Sequence, residues 1–445
     1  MGIQINGQTD TISATDGSFT ISGASGNLTG NLTGNVTGNL TGDVTGNLTG
    51  TASTATSATT AYGLSGSPTL SGITSVSTTN LTVNGNAYPT AGPLSNRNLI
   101  INGAMQVAQR GTSATNSGYG SVDRFDNLYA FGTVTQSQES LASGDPYTEG
   151  FRNYLRLTNT SAGTDDAAEY RTIRHYIEAQ NMAGSGWNYT SSSSYLTISF
   201  WARSSVSGTY YTLVRSHDGT TQAYTFSYTL TADTWTKVSH SIPGATSVAF
   251  DNDNNKGLDI RFLVDYGTNN TDSGHTLNTW SAWSNTSQSP DFTHDWSGTA
   301  DATFDLTGVQ LEVGFVATPF EHRSYGDELR RCQRYYYKIQ AKASNTSAFF
   351  ANAHNRSSTS AIGVTQFPVE MRTSPTALEQ SGTASDYSVN HGNVQTACSS
   401  VPTWFESDTF AARTNFTTSG SLTDGEGCIL RSASTDAYLA WSAEL

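Results

Sequence analysis

The sequence predicts an all-β protein built as an elongated homotrimeric fibre. Three observations predict this class. A strict tetrapeptide repeat fills residues 26–50, and only 13% of the 445 residues are charged. In addition, short segments of alternating apolar and polar residues recur between Gly, Asp and Ser turns, which is typical of all-β domains. We expect a β-stem, a jelly-roll β-sandwich, a β-rich C-terminal head and one short helix near 325–336.

The repeat comprises six tandem copies of Gly-(Asn/Asp)-(Leu/Val)-Thr. In an extended strand alternate side chains share a face, so the apolar residues form one row. A single strand of this length has no internal partner for that row. Three identical chains around an axis provide one, with glycine allowing close backbone approach. The alternative is a disordered polar linker, but the fixed spacing favours a trimeric stem. The predicted stem core is Leu28, Leu32, Val36, Leu40, Val44 and Leu48.

Composition and charge exclude several classes of protein. Tyr 21, Phe 18 and Trp 8, with abundant Thr, Ser, Gly and Asn, favour strands over helices. The net charge of −14 per chain, or 3 × −14 = −42 per trimer, disfavours binding to nucleic acid or to anionic membranes. The longest apolar run, residues 437–441, is far too short to span a bilayer, so we expect no membrane insertion.

The N-terminus and the cysteines indicate the site of synthesis. Residues 1–6 contain neither a basic start nor an apolar segment, so we expect no secretory signal. The three cysteines, Cys332, Cys398 and Cys428, form no Cys-x-x-Cys pair. This fits synthesis in a reducing cytosol without a disulfide framework.

The chain divides into four predicted regions. Residues 1–25 form an N-terminal attachment segment, and residues 26–92 form the stem. Pro89 and Pro93 mark the end of the stem. Residues 93–337 form the sandwich, and residues 338–445 form the head.

Alternating segments define the sandwich. Leu258, Ile260 and Phe262 share one face of a predicted strand, with Asp259 and Arg261 on the other. Gly308 is predicted as a bulge between the last two strands. The predicted strands of this region are 195–203, 210–215, 224–230, 235–242, 258–265, 302–306 and 309–313.

Two segments resemble a known family. Residues 98–105, 109–111 and 122–125 resemble the start of a module found in tail fibres and other structural proteins of tailed bacteriophages, especially marine ones. Residues 305–314 and 317–325 are similar to the closing strand of the jelly-roll sandwich in the same proteins, a fold shared with many carbohydrate-binding modules. The resemblance covers roughly residues 96–338. It implies a sandwich and a place in a virion, whereas a fold alone does not define a ligand.

One helix is predicted after the sandwich. Ser324 and Asp327 form a capping pair, acidic residues follow in the first turn, and arginines lie toward the other end. Leu329, Cys332, Gln333 and Tyr336 make a stripe that could pack on the sandwich or near a trimer axis. Strands of the head are predicted at 348–351, 361–367, 410–416, 428–432 and 438–442.

The sequence contains no recognisable catalytic motif. It lacks a Gly-x-Ser-x-Gly elbow, a His-Glu-x-x-His helix and a phosphate-binding loop. Asp165, Asp166 and Glu169 could supply a glycosidase pair only if folding set the required separation, and we expect a solvated loop. We therefore predict no enzyme activity and no cofactor.

One loop has a weak calcium pattern. Asp251, Asp253 and Asn255 have the alternating spacing of a calcium loop. Lys256 stands where such a loop needs glycine, and Phe262 where it needs glutamate. The alternative is a polar hairpin, and we predict no other metal site.

Aromatic residues in polar loops are the candidate ligand contacts. Trp280, Trp283 and Trp296 lie in a stretch rich in Ser, Asn, Thr and Asp, where a flat ring can stack on a sugar and neighbouring side chains can bond its hydroxyls. The alternative is that these rings cap the sandwich core or a subunit contact. Three residues of the head have the same ambiguity, namely Tyr387, Trp404 and Phe405.

These observations predict a homotrimeric phage tail fibre. We expect its N-terminus to bind other tail or virion proteins and its distal part to bind a host-surface glycan or protein, with residues 338–445 making first contact. It would be assembled in the host cytoplasm and act in the virion tail. The alternatives are a head fibre, collar or baseplate protein that binds only virion proteins, and, less favoured, a polysaccharide depolymerase.

Overall fold

A computed structural model describes residues 82–83, 86–87, 96–163, 166–341 and 348–445. The described residues belong to one compact unit, Ser77–Leu445. Within them, no helix is long and apolar enough to cross a membrane. The attachment segment and the six predicted stem-core residues, Leu28 to Leu48, lie outside the described residues, so trimerisation through the stem stays a prediction.

Strands dominate the described part of the chain. They are β1 (Thr82–Val83), β2 (Asn86–Ala87), β3 (Ser113–Ala114), β4 (Phe125–Ala130), β5 (Thr133–Ser140), β6 (Asn153–Ser161), β7 (Tyr170–Glu178), β8 (Tyr195–Ser204), β9 (Gly208–Ser216), β10 (Gln222–Leu230), β11 (Thr236–Pro243), β12 (Lys256–Tyr266), β13 (Trp280–Ala282), β14 (Thr303–Val313), β15 (Tyr336–Gln340), β16 (Phe349–Ser357), β17 (Ser360–Gln366), β18 (Glu379–Gln380), β19 (Tyr387–His391), β20 (Val394–Ala397), β21 (Thr403–Ser407), β22 (Ala411–Thr417), β23 (Gly427–Ser432) and β24 (Tyr438–Ser442). The helices are α1 (Asp145–Thr148), α2 (Ala179–Ala183) and α3 (Tyr325–Gln333), with a 3-10 turn at Ala384–Asp386.

Two six-stranded antiparallel sheets form a β-sandwich. Sheet 1 has the order β13-β10-β9-β12-β7-β4, and sheet 2 the order β11-β8-β14-β6-β5-β3. Apolar residues from both sheets meet in one core, in which Ile260 and Phe262 of sheet 1 and Phe200 and Leu306 of sheet 2 are almost fully buried. This confirms the predicted all-β class and the sandwich.

The closing strand of the sandwich contains the predicted bulge. In β14 the register against β8 shifts between Thr307 and Gln310. Gly308 has φ +63°, and a Cβ there would lie 2.7 Å from the Phe151 ring. Glycine is required at this position by both backbone angle and space.

Helix α3 begins where the sequence predicts. The Ser324 hydroxyl accepts a hydrogen bond from the backbone N–H of Asp327 (3.2 Å), and Asp327 and Glu328 lie in the first turn. Cys332 is fully buried. The helix ends at Gln333, earlier than predicted, because Tyr336 begins β15 and pairs with Ser442 of β24.

The C-terminal region forms a second β structure. A seven-stranded sheet has the order β20-β19-β23-β16-β17-β22-β21, and a three-stranded sheet has the order β15-β24-β18. Phe350, Phe416, Leu430 and Trp441 are buried between them. The five predicted head strands correspond to β16, β17, β22, β23 and β24. The bounds of β24 are as predicted, and the other four are longer or shifted by a few residues.

Buried charges join the head to the sandwich. The Glu444 carboxylate contacts Arg110 (3.2 Å) and Arg124 of the sandwich. Arg124 is fully buried, and its guanidinium carbon lies 3.5 Å from the centre of the Tyr335 ring. Glu178 at the end of β7 pairs with Arg334 (2.7 Å) after α3. The sandwich and the head are therefore in direct polar contact.

Candidate functional site

The surface of sheet 1 that faces away from the core carries a cluster of charged side chains. Strand pairing places its side chains in two rows. Tyr176, Asp259 and Arg215 are direct neighbours across β7, β12 and β9. The next row is Asp126, Arg174 and Arg261 across β4, β7 and β12. We call this surface the outer face, defined by Asp126, Arg174, Tyr176, Arg215, Lys256, Asp259, Arg261 and Trp283.

The outer face is more enclosed than the alternation in β12 predicts. Asp259 is 0% exposed and Arg261 8%, although both point away from the sandwich core. The reason is a second apolar cluster, in which Trp283 and Phe292 of the segment after β12 pack on Tyr211, Leu213 and Leu263 of the sheet. The covered charges therefore lie in a medium where electrostatic interactions are stronger than in water.

Ion pairs hold the rows in place. Arg261 donates to the Asp259 carboxylate (2.9 Å), and His217 Nε2 lies 3.3 Å from the same oxygen. Burial alone would raise the pKa of Asp259, but the Arg261 and His217 side chains outweigh it and hold that pKa at about 2. Arg174 donates to Asp126 in the next row (Nε to Oδ2 3.1 Å). Asp259 therefore stays ionised at neutral pH.

Trp283 lies against two of these cations. Its ring centre is 4.1 Å from the Arg215 guanidinium carbon and 4.8 Å from that of Arg261. The indole N–H donates to Asn285 (3.1 Å), and the ring is partly exposed. These contacts fix the ring at the edge of the outer face.

A small cleft of about 130 Å³ opens on the outer face, where Arg174 and Arg261 form part of its lining. Its lining combines aromatic rings with hydrogen-bonding side chains, which is the composition of sites that bind polar ring compounds. The lining residues are Leu128, Tyr170, Thr172, Arg174, Arg261, Tyr266, Asn270 and Gln288. The cleft can hold part of a ligand, and the remainder would lie against the partly exposed Arg215 and Trp283 side chains.

The other two predicted tryptophans of this segment have different environments. Trp296 is 0% exposed and belongs to the sandwich core, so its ring is not available to a ligand. Trp280 is partly buried against the same core, and its N–H donates to the Pro243 carbonyl (2.6 Å). Only Trp283 of the three lies on the outer face.

The three predicted residues of the head also differ in their exposure. Tyr387 is fully buried, and its hydroxyl donates to the Tyr438 carbonyl (2.7 Å). Trp404 and Phe405 are each 40% exposed. Phe405 has the Arg413 guanidinium 4.8 Å from its ring centre. The head therefore offers Trp404 and Phe405 to a ligand, but not Tyr387.

The predicted calcium loop has the contacts of a polar turn. The Asp253 carboxylate accepts hydrogen bonds from the N–H (3.0 Å) and side-chain amide (2.5 Å) of Asn255. The N–H of Asp251 donates to Asp218 (3.0 Å). In the described part of the chain, no group of three or more His, Cys, Asp or Glu side chains could hold a metal ion. Calcium binding here stays an untested alternative.

A second cleft, of about 220 Å³, is acidic. Asp166, Glu169, Asp265 and Asp295 line it together with His294 and aromatic rings. Glu169 pairs with Arg171 (2.7 Å). Burial raises the pKa values of Glu169 and Asp265, since it disfavours the charged carboxylates. The sequence singled out Asp165, Asp166 and Glu169. Asp165 lies outside the described residues, and folding brings Asp265 and Asp295 to the other two.

The cations of the outer face were missed by sequence reasoning. Arg215 and Arg261 occur on separate predicted strands and look like solvent-facing residues, and Arg174 lies on β7, which was not predicted as a strand. The only available signal was the close Asp259 and Arg261 pair on β12, since opposite charges at i and i+2 share a strand face.

Fold and site together define an all-β protein with a polar and aromatic sheet face. No family model matches the chain, and no curated protein matches it by sequence.

Several solved structures are weakly similar to the chain. The enzymatically active domain of tailspike protein 4 of bacteriophage CBA120 is 12% identical, with TM-score 0.27, over 49% of this chain and 21% of that one. A structure described as "CBM4 structure and function" is 13% identical, with TM-score 0.26, over 48% and 99%. The family 11 carbohydrate-binding module of a Clostridium thermocellum cellulosomal cellulase is 11% identical, with TM-score 0.23, over 46% and 95%. Similarities of this strength do not define a family or a function.

Proposed function

We propose that this chain is a tail-fibre subunit of a tailed bacteriophage that adsorbs to its host by binding a surface glycan on the outer face of sheet 1. The observation that carries the proposal is the position of Trp283, a part-exposed ring held by Arg215 and Arg261 beside the 130 Å³ cleft. A ring of this kind can stack on a sugar, while Gln288 and Asn270 in the cleft can bond hydroxyl groups.

The virion setting rests on the sequence. The stem repeat of residues 26–50 requires partners for its Leu and Val row, and residues 305–314 resemble the closing strand of phage fibre sandwiches. A homotrimer presents three copies of the outer face. Avidity then raises the overall affinity above that of a single weak site. The N-terminal segment would bind other virion proteins.

The proposed mechanism is binding without catalysis. On the outer face, the carboxylates Asp126 and Asp259 are each paired with an arginine. Both carboxylates are almost fully buried, so they orient the arginines, whereas a general acid must reach its substrate and needs a raised pKa. The pKa of Asp259 lies at about 2, which is unsuitable for that role. Burial raises the pKa of Asp126, although the paired Arg174 opposes that shift, and Asp126 is not accessible to a substrate.

Replacing Trp283 with alanine should weaken glycan binding about tenfold, because loss of one aromatic contact of about 1.4 kcal/mol changes Kd by that factor. The measurement is binding of the purified full-length protein to an array of bacterial surface polysaccharides, followed by titration of the best ligand. Released reducing ends are measured on the same samples.

Trp404→Ala is the matched control, since Trp404 is an equally large and 40% exposed ring on the head. We expect it to leave the titration unchanged. The reverse pattern would move the site to the head. Absence of binding to every polysaccharide would favour a purely structural virion protein, and reducing ends would indicate a depolymerase and direct attention to the acidic cleft.

A further inference from the structure

The cations of the outer face outnumber its carboxylates, on a chain whose net charge is −14. Two pairs are complete, Arg174 with Asp126 and Arg261 with Asp259. The remaining cations are Arg215 on β9 and Lys256 at the start of β12. Within the described part of the chain, neither has a carboxylate within ion-pair distance. The outer face therefore has an excess of positive charge.

Both remaining cations are held by aromatic rings. Arg215 lies 4.1 Å from the Trp283 ring centre, and the Lys256 ammonium lies 4.3 Å from that of Tyr176. Tyr176, which contacts Lys256, and Arg215 are the two cross-strand neighbours of Asp259. Arg215 and Lys256 therefore lie on either side of the Asp259 carboxylate. A ring contact orients a cation but does not neutralise it.

The Arg215 guanidinium is also short of a hydrogen-bond acceptor. Its Nε is buried and has no partner among the described residues. A buried donor without an acceptor costs free energy until a ligand supplies one. Burial, followed by repulsion from Arg261, lowers the pKa of Arg215. Burial, followed by repulsion from Arg174, lowers the pKa of Lys256. Burial is the larger cause of both shifts, and the nearby Asp259 carboxylate offsets part of each of them.

The Asp259 carboxylate supplies some negative charge near Arg215, since it raises the pKa of Arg215. It is not within ion-pair distance of the Arg215 guanidinium, and one of its oxygens is already bonded to Arg261. A ligand anion is different, because it can approach Arg215 from the partly exposed side. A planar guanidinium binds carboxylate or phosphate through two parallel hydrogen bonds.

We infer that the outer face binds an acidic glycan, whose anionic group, a carboxylate or a phosphate, is bound by Arg215, while Lys256 on the other side of Asp259 adds positive charge to the same face. This inference rests on the proposed function and adds the chemical class of its ligand. The ring of the acidic sugar would lie against Trp283, while neighbouring sugars extend toward the cleft lined by Asn270 and Gln288. Because the whole chain is acidic, nonspecific attraction of a polyanion is not expected.

The test titrates the full-length protein with three polymers. These are polygalacturonate, the same polymer after chemical reduction of its carboxyl groups, and poly(glycerol phosphate). We expect one of the two anionic polymers to bind at least tenfold more tightly than the reduced, neutral one. Which of them binds distinguishes a carboxylate from a phosphate.

Arg215→Gln should remove that preference, and Arg215→Lys should restore part of it, because lysine keeps the charge but not the planar fork. The matched control is Arg413→Gln, which removes an arginine beside an aromatic ring on the head. We expect it to leave the preference intact. Circular dichroism establishes that each variant is folded.

The outcomes separate the inference from the proposed function. Equal binding of the reduced and anionic polymers would overturn the inference and leave glycan binding in place. A preference that survives in Arg215→Gln would also overturn it, since the anion would bind elsewhere. If neither these polymers nor the polysaccharide array binds, the proposed function itself fails.

Discussion

Replacing Glu444 with glutamine should lower the free energy of unfolding by about 3 kcal/mol or more, the cost of leaving a buried charge without its partner. The partner is Arg124, which is fully buried and contacts the Glu444 carboxylate. Arg110 contacts the same carboxylate (3.2 Å). Glutamine keeps the shape of the side chain but removes its charge, so the substitution isolates the electrostatic contribution.

Arg124 cannot avoid this cost by moving or by losing its proton. Its second terminal nitrogen donates to the Tyr176 carbonyl (2.7 Å), and its guanidinium stacks on Tyr335. Burial lowers the pKa of Arg124, but the nearby Glu444 carboxylate and other groups raise it by more, so the net shift is upward. An arginine guanidinium stays protonated at any ordinary pH, so Arg124 stays charged in the variant, in a fully buried site.

The measurement is denaturant unfolding of the full-length protein, monitored by tryptophan fluorescence. The control is Glu406→Gln, which breaks the exposed pair between Glu406 and Arg413, with side chains 55% and 38% exposed. Exposed pairs contribute less than about 1 kcal/mol. Equal stability of the two variants would contradict the prediction. It would mean that the desolvation cost of the buried pair cancels the attraction between Glu444 and Arg124.

The same contact limits what a deletion can reveal. Removing residues 338–445 would delete Glu444 and expose Arg124 and Arg110, so lost binding by the truncated chain would not locate the ligand. Point substitutions such as Trp283→Ala leave the joint between sandwich and head intact. They are the cleaner test of which region binds the host.

Local patterns predicted the parts of the fold that depend on sequence spacing. The alternation of Leu258, Ile260 and Phe262 placed the buried face of β12 correctly, and Ser324 marked the start of α3. Such features depend on residues a few positions apart. Strand β7 was not predicted because Arg171, His175 and Glu178 give it a polar sequence, although pairing with other strands and side chains buries all three.

The candidate site depended on distant contacts, which no local pattern reports. Trp283 and Trp296 occur in the same polar stretch, yet one lies on the outer face and the other in the core. The difference comes from packing against strands far away in sequence. Likewise, Asp259 was expected to face solvent but is covered by the segment that carries Trp283. Residue type therefore indicated that a tryptophan could stack on a sugar, whereas the fold determines that Trp283 is the accessible one.

Replacing Leu28, Leu32, Leu40 and Leu48 with serine should convert the proposed trimer into monomers or loose aggregates. Each leucine buried in the predicted stem would contribute about 1.5–3 kcal/mol, and a single strand offers no internal substitute for the lost contacts. In a trimeric stem the loss would be multiplied, because three chains would contribute to every layer. Sedimentation equilibrium of the full-length protein measures the outcome directly.

The control introduces serine at the same spacing in the polar row, at Thr29, Thr33, Thr41 and Thr49. These side chains lie on the opposite side of an extended strand from the leucines, so we expect the control to sediment as a trimer. The pair of variants separates the apolar row from any general effect of serine on the repeat. If the leucine variant also remains a stable trimer, assembly must depend on residues 96–445, and the repeat is then better explained as a polar linker.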